Sequence, residues 1–261
     1  MLKILVCVKQ VPDIDLVKMD PETGNLVRDG VPSMMNPLDM NALEAALRLK
    51  EDMGGEITAI TMGPPAAEAV LRECLALGAD RAVLVTGREF GGANTLSTSY
   101  VIAKAALQLG SYDLIFCGKE TLDGATGQMG SQLAERFGSS QVTSMSLIKS
   151  LDMEKGSIVV EREVEKGVET IEARIPCLFT VEKTNYQPRL PNYRGKKAAR
   201  TAEIITLGPG DIEGLDAKLI GVPGSGTIVP RISPGAAGGG SDNRRGQRRS
   251  FGSEALRHAG R

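Results

Sequence analysis

The sequence has very little histidine and no tryptophan. His258 is the only histidine among 261 residues, and it lies in a tail rich in glycine and arginine. Because histidine is the commonest general base near neutral pH, its scarcity argues against a hydrolase that uses a histidine-containing triad. Aromatic residues make up only 3% of the chain, so the stacking surfaces that bind single-stranded nucleic acids are not expected either.

Cysteine pairs, long apolar runs and a strong net charge are also missing. The four cysteines are far apart and form no C-x-x-C motif, which argues against a zinc or iron–sulfur site. The formal net charge is −1, so a general nucleic-acid binder is not expected. No apolar run approaches the ~20 residues of a membrane helix, and no signal-peptide cleavage site follows "MLKILVCVK". We therefore expect a cytoplasmic protein without membrane insertion.

Short apolar runs alternate with amphipathic segments through the first 140 residues. "KILVCVKQV", "EITAITM", "RAVLV" and "YDLIFCG" are typical of buried strands, and between them apolar residues recur at helical spacing. This alternation indicates an α/β fold with a parallel, helix-covered sheet. A small hairpin is predicted early in the chain, where Val17 and Met19 precede a Pro-Glu-Thr-Gly turn and Leu26 and Val27 follow it.

Three loops that follow predicted strands are expected to meet at one edge of the sheet. They comprise residues 7–10, 62–64 and 116–130, the last reading "FCGKETLDGATGQMG". The helix start "NPLD" is expected to face the same cleft, with Asn36 as the N-cap and Pro37 in the first turn. Ligands of parallel sheets bind at the carboxyl ends of the strands, and a helix N-terminus attracts phosphate. These loops therefore predict a nucleotide cleft.

The pattern changes after Ser150. "GSIVVEREVEKGVETIEARIPCLFTV" predicts antiparallel strands around the turn "EVEKGVE". Residues 183–200 form a polar, partly basic segment whose tyrosines and arginines suit contact with a protein partner. The composition turns glycine-rich from residue 208, and residues from 235 onward lack the apolar side chains of a core. We predict an α/β nucleotide-binding domain over residues 1–207 and an extended C-terminal arm with a flexible tail over 208–261.

Five collinear stretches across residues 1–232 carry a family resemblance. They are "KILVCVKQVPD", "DGVPSMMNPLDMNALEAALRLKE", "MGPPAAEAVLRECLALGADRAVLV", "GKETLDGATGQMG" and "VEREVEKGVETIEARIPCLFTVEKTNYQPR". Together they resemble the β (small) subunit of electron transfer flavoproteins. The last stretch matches the spacing of that family's signature at Arg162, Glu165, Glu169, Ile171 and Pro176. Lys166 departs from the signature, which prefers glycine or an acid there.

The resemblance implies a fold similar to the adenine-nucleotide α-hydrolase-like (Rossmann-like) α/β fold. It also implies that the chain is not an enzyme by itself and has no catalytic residue or metal of its own. Such a subunit forms a heterodimer with a larger α subunit, which holds most of the electron-transfer FAD. The heterodimer carries electrons between flavin dehydrogenases, such as an acyl-CoA dehydrogenase, and acceptors. Glu163 falls where the family places a carboxylate facing that flavin, and residues 183–200 fall on its recognition loop, with Leu190 or Tyr193 as the anchor.

The resemblance also implies which residues bind the nucleotide of the β cleft. Backbone groups at Cys7 and Met62 read adenine, Asp123 accepts ribose hydroxyls, and the region of Thr126 donates to phosphate. The full predicted set is Cys7, Asn36, Pro37, Leu38, Asp39, Met62, Gly118, Asp123, Gly124, Ala125, Thr126, Gly127, Gln128, Ser225 and Thr227.

The nucleotide of the cleft is AMP in some members of the family and a second FAD in others. The short loop "DGATGQM" resembles the FAD-binding, electron-bifurcating type, which takes electrons from NADH, although Ala125 replaces an acid there. "GVPGSGTIVPRI" resembles a G-S-P-T segment of the same type, although Gly226 replaces proline. FAD is therefore favoured. The alternatives are a non-bifurcating subunit with structural AMP, and a non-redox adenine-nucleotide sensor protein. An adenylating enzyme is disfavoured because no S-G-G-x-D-S loop occurs.

Overall fold

Aliphatic and β-branched runs form the strands, and several of these are buried on both faces. The computed structural model describes residues 1–13, 18–19, 26–27, 32–184 and 186–227. Within them the strands are β1 (Lys3–Cys7), β2 (Gln10–Pro12), β3 (Lys18–Met19), β4 (Leu26–Val27), β5 (Ser33–Met35), β6 (Glu56–Met62), β7 (Arg81–Val85), β8 (Leu114–Gly118), β9 (Ser140–Asp152), β10 (Ser157–Val164), β11 (Gly167–Arg174), β12 (Cys177–Val181) and β13 (Ile205–Leu207). The helices are α1 (Pro37–Met53), α2 (Glu68–Leu77), α3 (Thr95–Leu109), α4 (Met129–Phe137) and α5 (Tyr193–Thr201).

Nine of these strands form one sheet in the order β11-β10-β9-β12-β8-β1-β6-β7-β13. In this order, every pair of neighbours from β9 to β13 is parallel. At the other side of β9, β10 pairs antiparallel with both β9 and β11. The predicted α/β fold and the predicted hairpin at "EVEKGVE" are confirmed. The prediction was wrong for "PCLFTV", since β12 does not continue the antiparallel region. It pairs in parallel with both β8 and β9, because its five buried residues belong in the interior of the sheet.

The two faces of the sheet bury separate cores. In β1, Ile4 and Val6 point to the core beneath α1 and α2, and Leu5 and Cys7 point to the core beneath α3 and α4. This alternation follows from the two-residue period of a strand. Each fully buried aliphatic side chain contributes about 1.5–3 kcal/mol relative to an exposed one.

The predicted N-cap Asn36 stands at the start of α1 but does not cap it with its side chain, whereas Asn94 caps α3. The side chain of Asn94 caps α3, because its Oδ1 accepts hydrogen bonds from the amides of Leu96 and Ser97 at 3.0 and 3.2 Å. Asn36 precedes Pro37 at the start of α1, but its side chain makes no capping bond. That side chain is fully buried and is used elsewhere, as described below.

The C-terminal part of the described chain packs back on the domain. Ile212 and Ile220 join the core beneath α3, and Gln108 Nε2 donates to the carbonyl of Asp211 at 2.8 Å. The boundary between residues 207 and 208 stays a prediction. In the early hairpin, β3 and β4 pair antiparallel, while its turn and Val17 lie outside the described residues, as does the tail from residue 228. Among the helices described, none has the length and apolar character needed to cross a membrane.

Candidate functional site

Four loops at the carboxyl ends of neighbouring strands enclose a cavity of about 1010 Å³. They follow β8, β1, β6 and β7, which are adjacent in the sheet. Three of these loops were predicted to meet, and the structure brings them together. The lining residues are Cys7, Val8, Lys9, Asp39, Met62, Gly63, Pro64, Pro65, Thr86, Gly87, Arg88, Phe90, Gly91, Gly92, Ala93, Asn94, Thr95, Thr98, Ile102, Cys117, Gly118, Lys119, Glu120, Thr121, Gly124, Thr126, Gly127 and Met129.

A buried carboxylate holds two of these loops together. Asp39, in the first turn of α1, is 4% exposed. Its Oδ2 accepts a hydrogen bond from the amide of Lys9 at 2.8 Å, and its Oδ1 accepts one from the amide of Gly118 at 2.8 Å. Burial raises the pKa of Asp39 to about 7, although the amides of Gly118 and Lys9 act in the opposite direction. Asp39 therefore links the end of β1 to the end of β8.

Glycine is needed at position 118 by this arrangement. A Cβ atom there would lie 2.4 Å from Oδ1 of Asp39 and 2.9 Å from Cβ of Leu38. Such distances are far below van der Waals contact, so any side chain would push α1 away from the strand end. The abrupt glycine after the apolar run of β8 is thus explained by close approach of the helix.

Asn36 fixes the loop that follows β8. Its Nδ2 donates to the carbonyl of Glu120 at 2.9 Å, and its Oδ1 accepts from the amide of Leu122 at 3.3 Å. A buried amide needs such partners, because an unpaired polar group in the interior costs about 1–3 kcal/mol. The side chain that the sequence assigned to helix capping therefore supports the wall of the cavity instead.

Lys9 and Asp123 connect the loop after β1 to the loop after β8. Lys9 Nζ lies 2.8 Å from Oδ1 of Asp123, and the hydroxyl of Thr121 donates to the same oxygen at 2.7 Å. Burial alone would raise the pKa of Asp123, but the hydrogen bonds from Lys9 and Thr121 outweigh it and lower that pKa. Asp123 is therefore a charged partner of Lys9. It lies next to the residues that line the cavity but does not line the cavity itself.

The stretch before α4 is the most exposed part of the site. Residues 122–128 are exposed, and the amide of Thr126 donates to the carbonyl of Gly124 at 2.7 Å. The Thr126 amide is thus already used, which leaves its hydroxyl for a ligand. Gly127 has a φ of 62° with no atom within 4 Å of a Cβ placed there. This left-handed conformation favours glycine and keeps that part of the wall free of side chains.

The fourth wall, between β7 and α3, is one that sequence reasoning missed. It contains the 3₁₀ turn Arg88–Phe90, followed by Gly91 and Gly92. Arg88 is exposed and makes no side-chain hydrogen bond or ion pair within the described part of the chain. The signal in the sequence was "GREFGGANT", in which an arginine stands among glycines directly after a buried strand.

The C-terminal arm supports this fourth wall. The hydroxyl of Ser225 accepts from the amide of Asn94 at 2.9 Å and donates to the carbonyl of Gly221 at 2.8 Å. Thr227 Oγ1 lies 3.3 Å from Asn94 Nδ2. Ser225 and Thr227 are therefore placed one residue behind the lining, in contact with Asn94.

The predicted cofactor residues divide into two groups. Those that line the cavity are Cys7, Asp39, Met62, Gly118, Gly124, Thr126 and Gly127. Those that lie behind or beside the lining are Asn36, Pro37, Leu38, Asp123, Ala125, Gln128, Ser225 and Thr227. Gln128 still touches the lining, since its Oε1 accepts from the hydroxyl of Thr95 at 3.3 Å. The role of each residue stays a prediction.

The thiols at the cavity floor are not suited to nucleophilic chemistry. Cys7 and Cys117 are partners on adjacent parallel strands, and both are free and buried. Burial raises the pKa of both thiols, and the nearby carboxyl of Asp39 adds to this effect. Because the thiolate is the reactive form and the raised pKa keeps both groups as thiols, Cys7 and Cys117 serve as apolar lining of the cavity.

The predicted partner-contact residues are all on the surface. Glu163 is exposed near the end of β10. The side chains of Leu190 and Tyr193 are 90% and 83% exposed, so both remain candidates for the anchor. The segment that carries them ends in helix α5, where Oδ1 of Asn192 accepts from the amide of Gly195 at 2.8 Å. The basic residues Arg194, Lys196, Lys197 and Arg200 all lie in this helix.

Known proteins similar to this chain share one family. A family model described as an electron transfer flavoprotein domain matches residues 23–211. "Protein FixA" of Azorhizobium caulinodans is 44% identical over 236 residues, which are 88% of this chain and 84% of the relative. "Electron transfer flavoprotein subunit beta" of Thermoanaerobacterium thermosaccharolyticum is 43% identical over 233 residues, 89% and 88% of the two chains. "Caffeyl-CoA reductase-Etf complex subunit CarD" of Acetobacterium woodii is 45% identical over 241 residues, 92% and 90%.

Proposed function

Because the chain belongs to the electron transfer flavoprotein family, as a relative of its β subunits, we propose that it holds an FAD in its cleft and carries electrons within a heterodimer. The family implies a flavoprotein and an α-subunit partner. The finer proposal is a second FAD, bound by this chain, that takes electrons from NADH and passes them to two acceptors. The non-redox sensor alternative loses its support, because the family match covers most of the domain.

The extent of the cavity is the observation that carries this proposal. It reaches from the loop after β8 to the loop after β7, and these strands are separated by β1 and β6. At about 4.8 Å per strand, the ends of strands β8 and β7 lie roughly 14 Å apart, although the walls they carry also meet where the hydroxyl of Thr95 donates to Gln128 Oε1. A mononucleotide held by the loop after β8 leaves the β7 end empty, whereas a dinucleotide fills both. The volume of about 1010 Å³ lies at the upper end of the range of ligand cavities.

The residues present fit FAD. Backbone groups at Cys7 and Met62 would hold adenine, the Thr126 hydroxyl would hold phosphate, and the β7 wall would hold the ring system. FAD supplies the electron-transfer chemistry when it is bound. The chain's own residues would position it, since Asp39 and Asn36 fix the loops around it.

The partner is proposed from the name of a relative. One relative is described as a subunit of a complex between an Etf and a caffeyl-CoA reductase. We propose that this chain's heterodimer has a partner of the same chemical class. That partner is a flavin dehydrogenase that acts on a CoA thioester, such as an acyl-CoA dehydrogenase. The exposed side chains of Leu190 and Tyr193 are the proposed contact surface.

The number and kind of bound nucleotides test the proposal. The αβ heterodimer is purified, its cofactors are released with acid, and they are separated and counted by chromatography. We expect two FAD per heterodimer. One FAD and one AMP would instead support the non-bifurcating alternative and overturn the proposal of a second flavin.

A substitution at Thr126 tests where the second nucleotide lies. Thr126→Arg places a long charged side chain on the cavity wall, so we expect the heterodimer to retain one FAD in place of two. Ser111→Arg is the matched control, because Ser111 is exposed shortly before β8, at the end of that strand opposite to the cavity. Equal FAD content in the Thr126→Arg variant and the wild type would show that the cleft has been misplaced.

A further inference from the structure

Among the charged side chains around the cavity, Arg88 stands apart. Lys9 is paired with Asp123 at 2.8 Å, and Lys119 is paired with Glu182 at 3.1 Å. Arg88 lines the same cavity, yet its guanidinium has no such partner among the described residues. An unpaired arginine on a cavity wall is free to contact a negatively charged group of a ligand.

The surroundings of Arg88 combine apolar side chains and glycines with the uncharged polar side chains of Thr86, Thr95 and Thr98. Phe90 and Ile102 line this end and are each 5% exposed, so only a small part of each reaches the cavity. Gly91, Gly92 and Ala93 add backbone and one methyl group. Glycine is required at position 92, because its φ is 70° and a Cβ there would lie 2.6 Å from Val222 of the arm. Small residues at positions 91–93 leave room for a ring system beside Arg88.

The nearby N-terminus of α3 does not turn this end into a phosphate site. The side chain of Asn94 already accepts from the amides of Leu96 and Ser97, and the amide of Asn94 donates to Ser225. These donors would otherwise be the ones that attract phosphate. The β7 end of the cavity therefore offers one positive charge beside an uncharged wall, and not the cluster of N–H donors that a diphosphate prefers.

From this arrangement we infer that Arg88 contacts the ring system of the FAD and stabilises the negative charge that the ring gains on reduction. The inference rests on the proposed function, because it requires the flavin end of a dinucleotide at the β7 wall. A positive charge close to a flavin raises its reduction potential by binding the reduced form more tightly than the oxidised form. Arg88 thus sets how readily the flavin in this cleft accepts electrons.

The test compares the affinities of the β cleft for oxidised and for reduced FAD in the αβ heterodimer. Heterodimers of wild type, R88Q and R88K are stripped of the FAD in the cleft, and binding is measured by equilibrium dialysis, aerobically with FAD and anaerobically with dithionite-reduced FAD. The Thr126→Arg heterodimer reports the signal of the flavin in the α subunit alone. R174Q is the matched control, since Arg174 is also exposed and has no ion-pair partner among the described residues, but stands at the end of the edge strand β11.

We expect R88Q to lose about tenfold of the preference for reduced FAD, which corresponds to a potential lower by about 30 mV for two electrons. R88K should keep most of the preference, and R174Q all of it. An unchanged preference in R88Q would overturn the inference, as would equal weakening of both oxidation states or an R88K variant that behaves like R88Q. A wild-type cleft that holds AMP would overturn the proposed second flavin as well, so the two failures are distinguishable.

Discussion

Asp39 is the residue on which the geometry of the cleft most depends. A buried carboxylate is costly unless hydrogen bonds compensate it, and here both oxygens accept backbone amides from loops on different strands. These amides belong to residues 9 and 118, which both line the cavity. The Asp39 carboxylate therefore bridges the two loops and sets the distance between them.

Replacing Asp39 by asparagine should loosen one of these loops. The NH₂ group of the asparagine side chain is itself a donor, and it would face the backbone N–H of Lys9 or Gly118. That N–H would lose its acceptor, at a cost of about 1–3 kcal/mol. We expect hydrogen exchange at the amide of Lys9 or Gly118 to accelerate about 5- to 150-fold, as measured by mass spectrometry on the heterodimer. Asp113→Asn is the control, because the Asp113 carboxylate accepts the amide of Lys3 through one oxygen, which asparagine can still satisfy. Unaltered exchange in Asp39→Asn would contradict this account.

The raised pKa of Asp39 also predicts a pH dependence of stability. The unfolded carboxyl loses its proton near ~3.9, whereas the folded one keeps it until about pH 7. The folded state therefore binds more protons between these values, and the stability contributed by this group falls as the pH rises through that window. We expect the melting temperature to drop less between pH 5 and pH 8 in Asp39→Asn than in the wild type. An equal drop in both proteins would contradict the assignment.

At the level of elements, the position of α4 depends on a single glycine. Gly130 is buried against β12, and a Cβ there would lie 2.1 Å from Cγ2 of Thr180. The helix begins at Met129, directly after the exposed stretch that contains Thr126. Close packing of α4 on the sheet therefore fixes where that stretch enters the cavity wall.

Gly130→Ala should displace α4 and weaken the cleft together with it. Overpacking of this kind costs about 1–3 kcal/mol, so we expect a lower melting temperature and a lower content of the second nucleotide. Gly210→Ala is the matched control, since a Cβ at Gly210 meets no atom of the described residues within 4 Å. If Gly130→Ala retained wild-type nucleotide content, the coupling between α4 and the cavity wall would be refuted.

Elements with strong local periodicity were predictable from the sequence. The helices α1, α2 and α3 follow three- and four-residue spacing, and β1 and β8 follow continuous apolar runs. Strand pairing over long distances was not predictable, because an apolar run specifies burial but not its neighbour. That is why β12 was assigned to the antiparallel region although it lies between β8 and β9.

The site shows the same division between local and long-range information. The convergence of three loops follows from the rule for parallel sheets, and it was predicted. The hydrogen bonds that Asn36 makes to the loop after β8 were not predicted, since its partners Glu120 and Leu122 are more than 80 residues away in the sequence. The wall with Arg88 was missed because glycine-rich turns after strands are common, and only the fold shows that this one faces the cavity.

On the scale of the whole molecule, the predicted recognition loop is tied to the domain on both sides of its exposed tip, by Arg189 before it and by the carbonyl of Ala199, which accepts from Arg72, after it. Nε of Arg189 lies 2.8 Å from Oε2 of Glu44, and Nη2 lies 3.0 Å from Oε2 of Glu51. Burial alone would raise the pKa of Glu44, but its hydrogen bonds to Arg189 and Arg48 outweigh burial and lower that pKa. The loop is thus anchored on α1 directly before Leu190. The side chains of Leu190 and Tyr193 therefore project into solvent from a segment whose position is fixed.

This anchoring predicts that docking can be impaired without disturbing the cofactors. Leu190→Ala, Tyr193→Ala and the double variant are compared for the rate at which an acyl-CoA dehydrogenase, reduced by its substrate, reduces the heterodimer. An apolar anchor contributes about 2 kcal/mol or more, so we expect one single variant and the double variant to slow this rate about 30-fold at limiting concentration, with unchanged FAD content. Leu107→Ala is the control, since Leu107 is also exposed, at 49%, but lies on α3. Wild-type rates in the double variant would refute the assignment of the recognition loop.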